Sequence, residues 1–246
     1  MSRDDLVQKA KLAEQAERHT DMAKAIKKVT EFGDQLTGEE RNLFSMAYKN
    51  MIGSRRHAWR VVSTIEQMNK NSSEPANPEV IKNYRLLIEK EIMAVSEEVI
   101  ELLNKFILPK TTEPEHKVFY LKMKADYHRY IAEVATEDEL SSATENAKKA
   151  YEEALKVAEQ HMRAVNPIRL GLVLNFSVFY YEILKEFDLA CELAKESFDT
   201  AILQLDTQGD ECYKDSTLIL QLLRDNLALW TAKATIDANP QNQGTA

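Results

Sequence analysis

The sequence TGEERNLFSMAYKNMIGSRRHAWRVVSTIEQM, residues 37–68, indicates the fold class of this chain of 246 residues. Thr37 and Glu40 have the capping-box spacing, in which each side chain bonds the other residue's backbone N–H at the start of a helix. Apolar residues then recur every three or four positions with no proline between them, which is typical of an amphipathic helix. The stretch therefore predicts one long helix that ends near Met68.

The same periodicity, interrupted by proline, asparagine and glycine, covers most of the remaining chain. The other predicted helices span residues 3–17, 20–32, 79–108, 115–134, 137–162, 167–184, 187–205 and 214–234. No sustained alternation of polar and apolar residues indicates a strand, and no Asn-Gly or Asp-Gly hairpin turn occurs. We therefore expect an all-α fold with a single domain over residues 1–234 and a disordered tail over residues 235–246.

The chain is acidic, with 40 Asp and Glu residues against 32 Lys and Arg residues and a net charge of −8. This balance argues against general nucleic-acid binding, which depends on basic surfaces. The charged N-terminus argues against a signal peptide, and the absence of a long apolar run argues against membrane insertion. Cys191 and Cys212 follow no metal-ligand spacing, so we expect reduced thiols, no metal, and a soluble cytoplasmic protein.

One face of the long helix carries only positive charge. Residues 42–59 contain no Asp or Glu, and with about 100° of turn per residue Lys49, Arg56 and Arg60 fall on one side together with Gly53. A solvated charged face is the plainer interpretation. However, exposed helices usually mix signs, because acid–base pairs four residues apart stabilise them. Clustered cations without carboxylates suit a phosphate, which offers about two negative charges and three acceptor oxygens.

A second basic cluster repeats this spacing. Lys122 and Arg129 are seven residues apart, as Lys49 and Arg56 are, and Tyr130 follows directly. Asp126 lies on the same face, so a surface ion pair between Asp126 and Arg129 is an alternative to a binding role.

Several long stretches resemble signature segments of the 14-3-3 family, and the resemblance extends from about residue 4 to residue 232. They are RNLFSMAYKN (41–50), SRRHAWRVVSTIEQ (54–67), YHRYIAEV (127–134), NPIRLGLVLNFSVFYYEIL (166–184) and YKDSTLILQLLRDNLALW (213–230). The resemblance implies nine antiparallel helices in a cup-shaped subunit with an amphipathic groove, paired as a homodimer. It implies a non-catalytic adaptor without cofactors that binds phosphoserine or phosphothreonine in partner proteins and regulates them.

The resemblance also implies roles for individual residues. The implied phosphate ligands are Lys49, Arg56, Arg129 and Tyr130, and the two amides that hold the peptide main chain are Asn175 and Asn226. The implied groove residues are Arg60, Lys122, Leu174, Val178, Glu182, Leu218, Ile219, Leu222, Leu229 and Trp230. Within the chain, residues 1–108 would supply dimerisation and the groove floor, and residues 115–234 the groove wall.

For the homodimer, the resemblance implies that the first two helices of one subunit pack on the third and fourth of its partner. The corresponding residues are Leu12, Ala16, Arg18, Asp21, Ala58, Val62, Ile65, Tyr84 and Glu91. Heterodimers with other family members are compatible with this arrangement, and partners could also carry the protein into the nucleus. Three features depart from the usual family pattern: Ala58 stands in place of a serine whose phosphorylation loosens the dimer, Leu87 in place of a lysine that pairs with an acid such as Asp21, and the tail lacks the usual acidic run. The resemblance therefore does not extend to that control, that ion pair or competition of the tail for the groove.

Two other classes are considered beside this one. Segments such as KKAYEEALKVAEQ (148–160) are similar to tetratricopeptide helices, but no regular repeat of about 34 residues runs through the chain. An enzyme is disfavoured, because no phosphate-binding loop, dinucleotide-binding, zinc-protease or nucleophile-elbow motif occurs and the five histidines are scattered.

Overall fold

The computed structural model describes residues 1–72, 76–205 and 213–238. Nine α-helices occur in these ranges: α1 (Arg3–Gln15), α2 (His19–Glu31), α3 (Gly38–Asn69), α4 (Pro78–Leu102), α5 (Pro114–Val134), α6 (Glu137–His161), α7 (Pro167–Phe179), α8 (Phe187–Leu205) and α9 (Tyr213–Ala238). No strand occurs among the described residues. The predicted all-α class with nine helices is therefore confirmed.

Two of these helices continue into wider π-helical turns. Leu103–Ile107 extends α4 and is followed by a 3-10 turn at Leu108–Lys110, and Tyr180–Leu184 extends α7. The sequence had indicated continuous helices to about residues 108 and 184. The helical turns reach about these residues, but the last ones are wider, because a π-turn contains an extra residue that apolar periodicity does not reveal.

The helix boundaries follow the local signals. The Thr37 hydroxyl accepts the Glu40 N–H at 3.2 Å, and the Glu40 carboxylate accepts the Thr37 N–H at 2.8 Å. Asn166 caps α7 by accepting the Ile168 N–H at 2.8 Å, with Pro167 in the first turn. Gly33 closes α2 with a φ of 78°, a conformation that glycine adopts without strain.

The chain divides into two compact units. Unit 1 comprises residues 1–111 and 130–143, and unit 2 comprises residues 112–129 and the chain from residue 144 onward. α5 contributes to both units, since the boundary falls between Arg129 and Tyr130. The predicted division of one domain into residues 1–108 and 115–234 remains a prediction.

Each unit has its own buried aromatic and aliphatic side chains. In unit 1 the fully buried ones include Phe44, Tyr48, Met22, Ile26 and Ile92. In unit 2 they include Tyr151, Phe179, Leu170, Leu172 and Leu223. Burial of side chains of this size contributes about 1.5–3 kcal/mol each, so both units have the apolar interior that helix packing requires.

Three sequence predictions fall partly on residues that the structure does not describe. Residues 73–75 of the loop before α4, Cys212, and residues 239–246 of the predicted tail lie outside the described residues. α9 itself continues to Ala238, four residues beyond its predicted end. Within the described ranges, no helix is both long enough and apolar enough to span a membrane.

Candidate functional site

The basic face of α3 is open in unit 1. Lys49 and Arg60 are exposed, and neither forms an ion pair with any residue that the structure describes. A methyl group added to Gly53 would lie more than 4 Å from the atoms of every other described part of the protein. This face therefore leaves space, and two uncompensated cations, for an anionic group.

Arg56 does have a carboxylate partner. Its Nε and Nη2 donate to the two oxygens of Glu133 at 2.7 and 2.6 Å. The guanidinium carbon lies 4.1 Å from the centre of the Tyr130 ring, in cation–π geometry. The expectation that this arginine lacks a carboxylate is wrong, because the partner belongs to α5 and does not show in the sequence of α3.

The contacts of Arg56 orient it without using all its donors. Glu133 and Tyr130 are three residues apart on α5, so one turn supplies both the carboxylate and the ring. Nη1 has no acceptor among the described residues. One edge of the guanidinium therefore keeps its N–H groups available for an acceptor from outside the chain.

In unit 2 a single carboxylate, Asp126, accepts hydrogen bonds from several side chains. Lys122 Nζ donates to Oδ2 at 2.8 Å, Arg129 Nη2 lies 3.3 Å from Oδ1, and the Tyr151 hydroxyl donates to Oδ1. Asp126 and Arg129 are 5% and 6% exposed, and Arg129 Nε also contacts the Tyr151 oxygen at 3.2 Å. The alternative pairing of Asp126 with Arg129 is thus present, but as a buried contact and not as a surface one.

Burial and charge compete at Asp126. Burial by itself would raise the pKa of this carboxyl, but the positive charges of Lys122 and Arg129 and the donated hydrogen bonds lower it below its usual value. Burial raises the pKa of the Tyr151 hydroxyl well above its usual value. At neutral pH the group is therefore an ionised carboxylate with a neutral phenol that donates to it.

Asn175 on α7 belongs to the same network. Its Nδ2 lies 2.9 Å from both oxygens of Asp126. Asn226 on α9 is half-buried and has no hydrogen bond to a described residue through its side chain. The two predicted peptide-binding amides therefore differ: one is held by the protein and the other is not.

Sequence reasoning treated Asp126 only as a possible partner of Arg129 and missed its role as the centre of this network. The spacing to Lys122 and Arg129, four residues before and three after, was a signal for a shared carboxylate. The contacts from Tyr151 and Asn175 come from other helices and have no local signal.

Apolar side chains line one side of α9 in unit 2. Leu218, Leu222 and Leu229 are 64%, 44% and 66% exposed. Leu174, Val178 and Ile219 are half-buried and pack against the core of this unit. Exposed leucines at helical spacing around Asn226 form an apolar surface that no described residue of this unit covers.

Two predicted groove residues lie in unexpected surroundings. Trp230 is only 6% exposed and stacks on Tyr181 with 4.6 Å between ring centres, so it belongs to the core of unit 2. Glu182 is exposed and lies in the π-turn that follows α7. The α-helical stripe predicted from Leu174 through Val178 to Glu182 therefore ends with α7 at Phe179.

The predicted dimer residues lie on unit 1. Leu12, Ile65 and Tyr84 are 67%, 47% and 55% exposed, and Leu87 is 52% exposed. The remaining ones are exposed or half-buried: Ala16, Arg18, Asp21, Ala58, Val62 and Glu91. Arg18 forms an ion pair with Asp21 in the same chain, and Glu91 Oε2 lies 3.0 Å from Arg55 Nε.

No group of His, Cys, Asp and Glu side chains within the described ranges could hold a metal ion. Unit 2 by itself contains two oriented cations, two amides and exposed leucines. Such groups can bind a ligand that combines an anion, a polar main chain and apolar side chains.

Comparison with known proteins identifies the class. The 14-3-3 protein family model matches residues 9–231. The chain is 53% identical over 244 residues to the 14-3-3 protein zeta of Bombyx mori, covering 99% of this chain and 98% of that protein. It is 54% identical to the 14-3-3-like protein 2 of Caenorhabditis elegans (98% and 96% covered) and to the human 14-3-3 protein beta/alpha (99% and 98% covered).

The chain belongs to the 14-3-3 family. Members of this family are non-catalytic adaptors that bind phosphorylated partner proteins and form dimers, so membership supports this role in general terms. The tetratricopeptide and enzyme alternatives have no comparable support.

Proposed function

We propose that this chain is an adaptor that binds phosphoserine or phosphothreonine segments of partner proteins and thereby regulates their activity, localisation or assembly. The observation that carries the proposal is the oriented guanidinium of Arg56, with Nη1 unused and the exposed Lys49 on the same face of α3. Arg129 and Tyr130, consecutive on α5, complete the proposed set of phosphate ligands.

The physical basis is charge. Hydrogen bonds between ionised groups are roughly twice as strong as neutral ones, and a guanidinium edge matches the oxygens of a phosphate. An unphosphorylated serine offers no such charge, so the cations would gain little from it. Because the second pKa of a phosphate ester is about 6, binding should weaken as the pH falls below that value.

The remainder of the ligand would lie along unit 2. We assign Asn175 and Asn226 to the peptide main chain, and Leu174, Val178, Leu218, Ile219, Leu222 and Leu229 to its apolar side chains. Lys122, Arg60 and Glu182 would border the groove, and Trp230 would support it from the core. The exposed leucines on α9 fit this role because an apolar surface of this kind gains free energy when a ligand covers it.

We further propose that the chain acts as a homodimer, and also as a heterodimer with other family members, in the cytoplasm and with partners in the nucleus. The exposed Leu12, Ile65, Tyr84 and Leu87 would be covered by the second subunit. Two grooves in one dimer would bind a doubly phosphorylated partner about 10²–10⁴ times more tightly than one groove does.

The experiment is a titration with a fluorescent phosphopeptide. Lys49→Glu should reduce the affinity by about two orders of magnitude, because it removes a charge-assisted contact and adds a repulsive charge. Circular dichroism should show unchanged helix content. Lys24→Glu is the matched control, since Lys24 is also exposed in unit 1 but lies on α2, and its affinity should stay within about twofold of the parent.

Two results would contradict the proposal. One is equal affinity of the parent protein for the phosphorylated and the unphosphorylated peptide. The other is an unchanged affinity in folded Lys49→Glu.

A further inference from the structure

The Tyr151 hydroxyl lies between two charged groups of unit 2. It donates to Oδ1 of Asp126, and Arg129 Nε lies 3.2 Å from its oxygen. A neutral phenol has one proton and two lone pairs, whereas a carboxylate only accepts hydrogen bonds and a guanidinium only donates them. Burial raises the pKa of the Tyr151 hydroxyl well above its usual value, so the phenol keeps its proton at neutral pH. The proton therefore goes to Asp126, and the oxygen accepts from Arg129.

One edge of the Arg129 guanidinium is held by these two groups. Nε carries a single hydrogen, which points to the Tyr151 oxygen, and Nη2 on the same edge lies 3.3 Å from Oδ1 of Asp126. Because the Tyr151 hydroxyl donates to the same carboxylate oxygen, the three side chains form a closed ring of hydrogen bonds. Turning the guanidinium would break two of these bonds inside a buried network, so one orientation is favoured.

Aromatic packing holds the Tyr151 ring in place. Tyr151 on α6 has no exposed surface, and its ring stacks on that of Phe176 on α7, with 5.0 Å between the ring centres and 13° between the planes. The Phe179 ring lies 5.4 Å from the Tyr151 ring, and Phe176 also stacks on Tyr180 at 4.6 Å. In a close-packed interior such a ring does not move its oxygen without displacing its neighbours. The oxygen is therefore a fixed acceptor for Arg129.

We propose that Tyr151 is a positioning residue for phosphate recognition: its oxygen holds Nε of Arg129, so that the guanidinium meets the phosphate in one orientation. This inference rests on the proposed function and adds to it a residue that is too deeply buried to touch the ligand. Only 7% of the Arg129 side chain is exposed, so a ligand reaches a small part of it. Because hydrogen bonds weaken steeply with misalignment, the direction of that part affects the affinity.

The test is a double-mutant cycle measured by titration with a fluorescent phosphopeptide. Tyr151→Phe keeps the ring and removes only the oxygen, and it should weaken binding about tenfold, because a charged donor loses its acceptor and its fixed direction. Arg129→Met removes the donor, and in that background Tyr151→Phe should cost less than about twofold. A residue that only supported the fold would lower the affinity by the same factor in both backgrounds.

Tyr180→Phe is the matched control, since it removes one hydroxyl from the same aromatic stack. Burial, with contributions from Glu152 and Glu186, raises the pKa of the Tyr180 hydroxyl, so this oxygen has different neighbours from that of Tyr151. The variant should keep its affinity for the phosphopeptide within about twofold of the parent.

A measurement on the parent protein tests the inference if Tyr151→Phe does not fold. The protein is prepared with isotopically labelled arginine, and the Nε–H signal of Arg129 is assigned by its loss in Arg129→Met. Its exchange with water should be at least about tenfold slower than that of Arg224, an exposed arginine of the same unit. The signal should stay protected when the phosphopeptide binds, because Tyr151 keeps this hydrogen.

Four results would overturn the inference. They are an affinity of folded Tyr151→Phe equal to that of the parent, an equal loss with and without Arg129, an equal loss in Tyr180→Phe, and an Arg129 Nε–H that exchanges as fast as that of Arg224. Phosphate-dependent binding with any of these results would refute the inference alone. Binding that ignores the phosphate in the parent protein would refute the proposed function as well.

Discussion

Arg56 in unit 1 and Arg129 in unit 2 are held in different ways. The Arg56 side chain is 17% exposed and makes two short bonds to Glu133, with Tyr130 against its face. The Arg129 side chain is 7% exposed and shares the buried Asp126 with Lys122, Tyr151 and Asn175. A carboxylate beside an arginine therefore does not always prevent the arginine from binding an anion. Glu133 orients Arg56, which stays partly accessible, whereas Asp126 holds Arg129 within a buried network.

The largest expected effect separates the two carboxylates. Asp126→Ala should lower the free energy of unfolding by about 3–5 kcal/mol, because it leaves buried cationic and polar donors without an acceptor. Glu133→Ala should cost about 1–2 kcal/mol, since the freed Arg56 has access to water. Urea unfolding followed by circular dichroism measures both values, and equal losses would remove the distinction between the two arginines.

A second effect concerns acid stability of unit 2. Burial, with a contribution from Lys124, lowers the pKa of His128 from 6.5 to about 4. Between these two pH values the unfolded chain binds a proton at His128 and the folded chain does not. The free energy of unfolding therefore falls as the pH drops from about 6.5 towards 4. For a half-buried ring we expect a loss of about 1–2 kcal/mol, which is less than the full shift implies.

Unfolding at a series of pH values tests this expectation. His128→Gln should remove that part of the pH dependence, whereas His57→Gln, at an exposed histidine of unit 1, should leave it in place. A parent and a His128→Gln variant with the same slope between pH 6.5 and 4 would contradict the assignment to His128.

A smaller effect tests how open the α3 face is. Gly53→Ala should raise the free energy of unfolding by about 0.5–1 kcal/mol, because alanine favours a helix interior and its Cβ meets nothing within 4 Å. The same variant should weaken phosphopeptide binding if the ligand approaches the backbone there. Gly171→Ala in unit 2, whose Cβ would lie 3.8 Å from Lys122 Cε, is the matched helix substitution for thermal unfolding. Destabilisation by Gly53→Ala would show that the face is not open.

The smallest effect is expected for an exposed ion pair of unit 2. Lys195 Nζ and Asp199 Oδ2 are 2.8 Å apart, but both side chains are more than half exposed. Surface pairs of this kind contribute little because water and salt screen them. Asp199→Asn should leave the melting temperature unchanged within error. A clear decrease would mean that the exposure of an ion pair does not predict its contribution to stability.

The sequence predicted the helices well where their limits depend on neighbouring residues. Thr37, Glu40, Asn166 and Pro167 mark helix starts through contacts within three residues, and the structure has those contacts. The basic face of α3 was also predictable, because Lys49, Arg56 and Arg60 lie on one helix.

Contacts between helices were not predictable in this way. The pairing of Arg56 with Glu133 joins residues 77 positions apart, and that of Asn175 with Asp126 joins residues 49 positions apart. The burial of Trp230 depends likewise on Tyr181, from a different helical segment. Helical periodicity indicates which face of a helix is apolar, but it does not identify the residues of other helices that pack against that face.

The π-turn at Tyr180–Leu184 has a consequence for chain length. A turn of this type holds one residue more than an α-turn, so deleting a single residue there would restore regular winding. Because the wide turn absorbs that residue, the deletion would leave the chain from Lys185 onward close to its present rotational position. We therefore expect deletion of one residue within Tyr180–Leu184 to disturb the fold less than deletion of one residue within α7, which would rotate all that follows by about 100°.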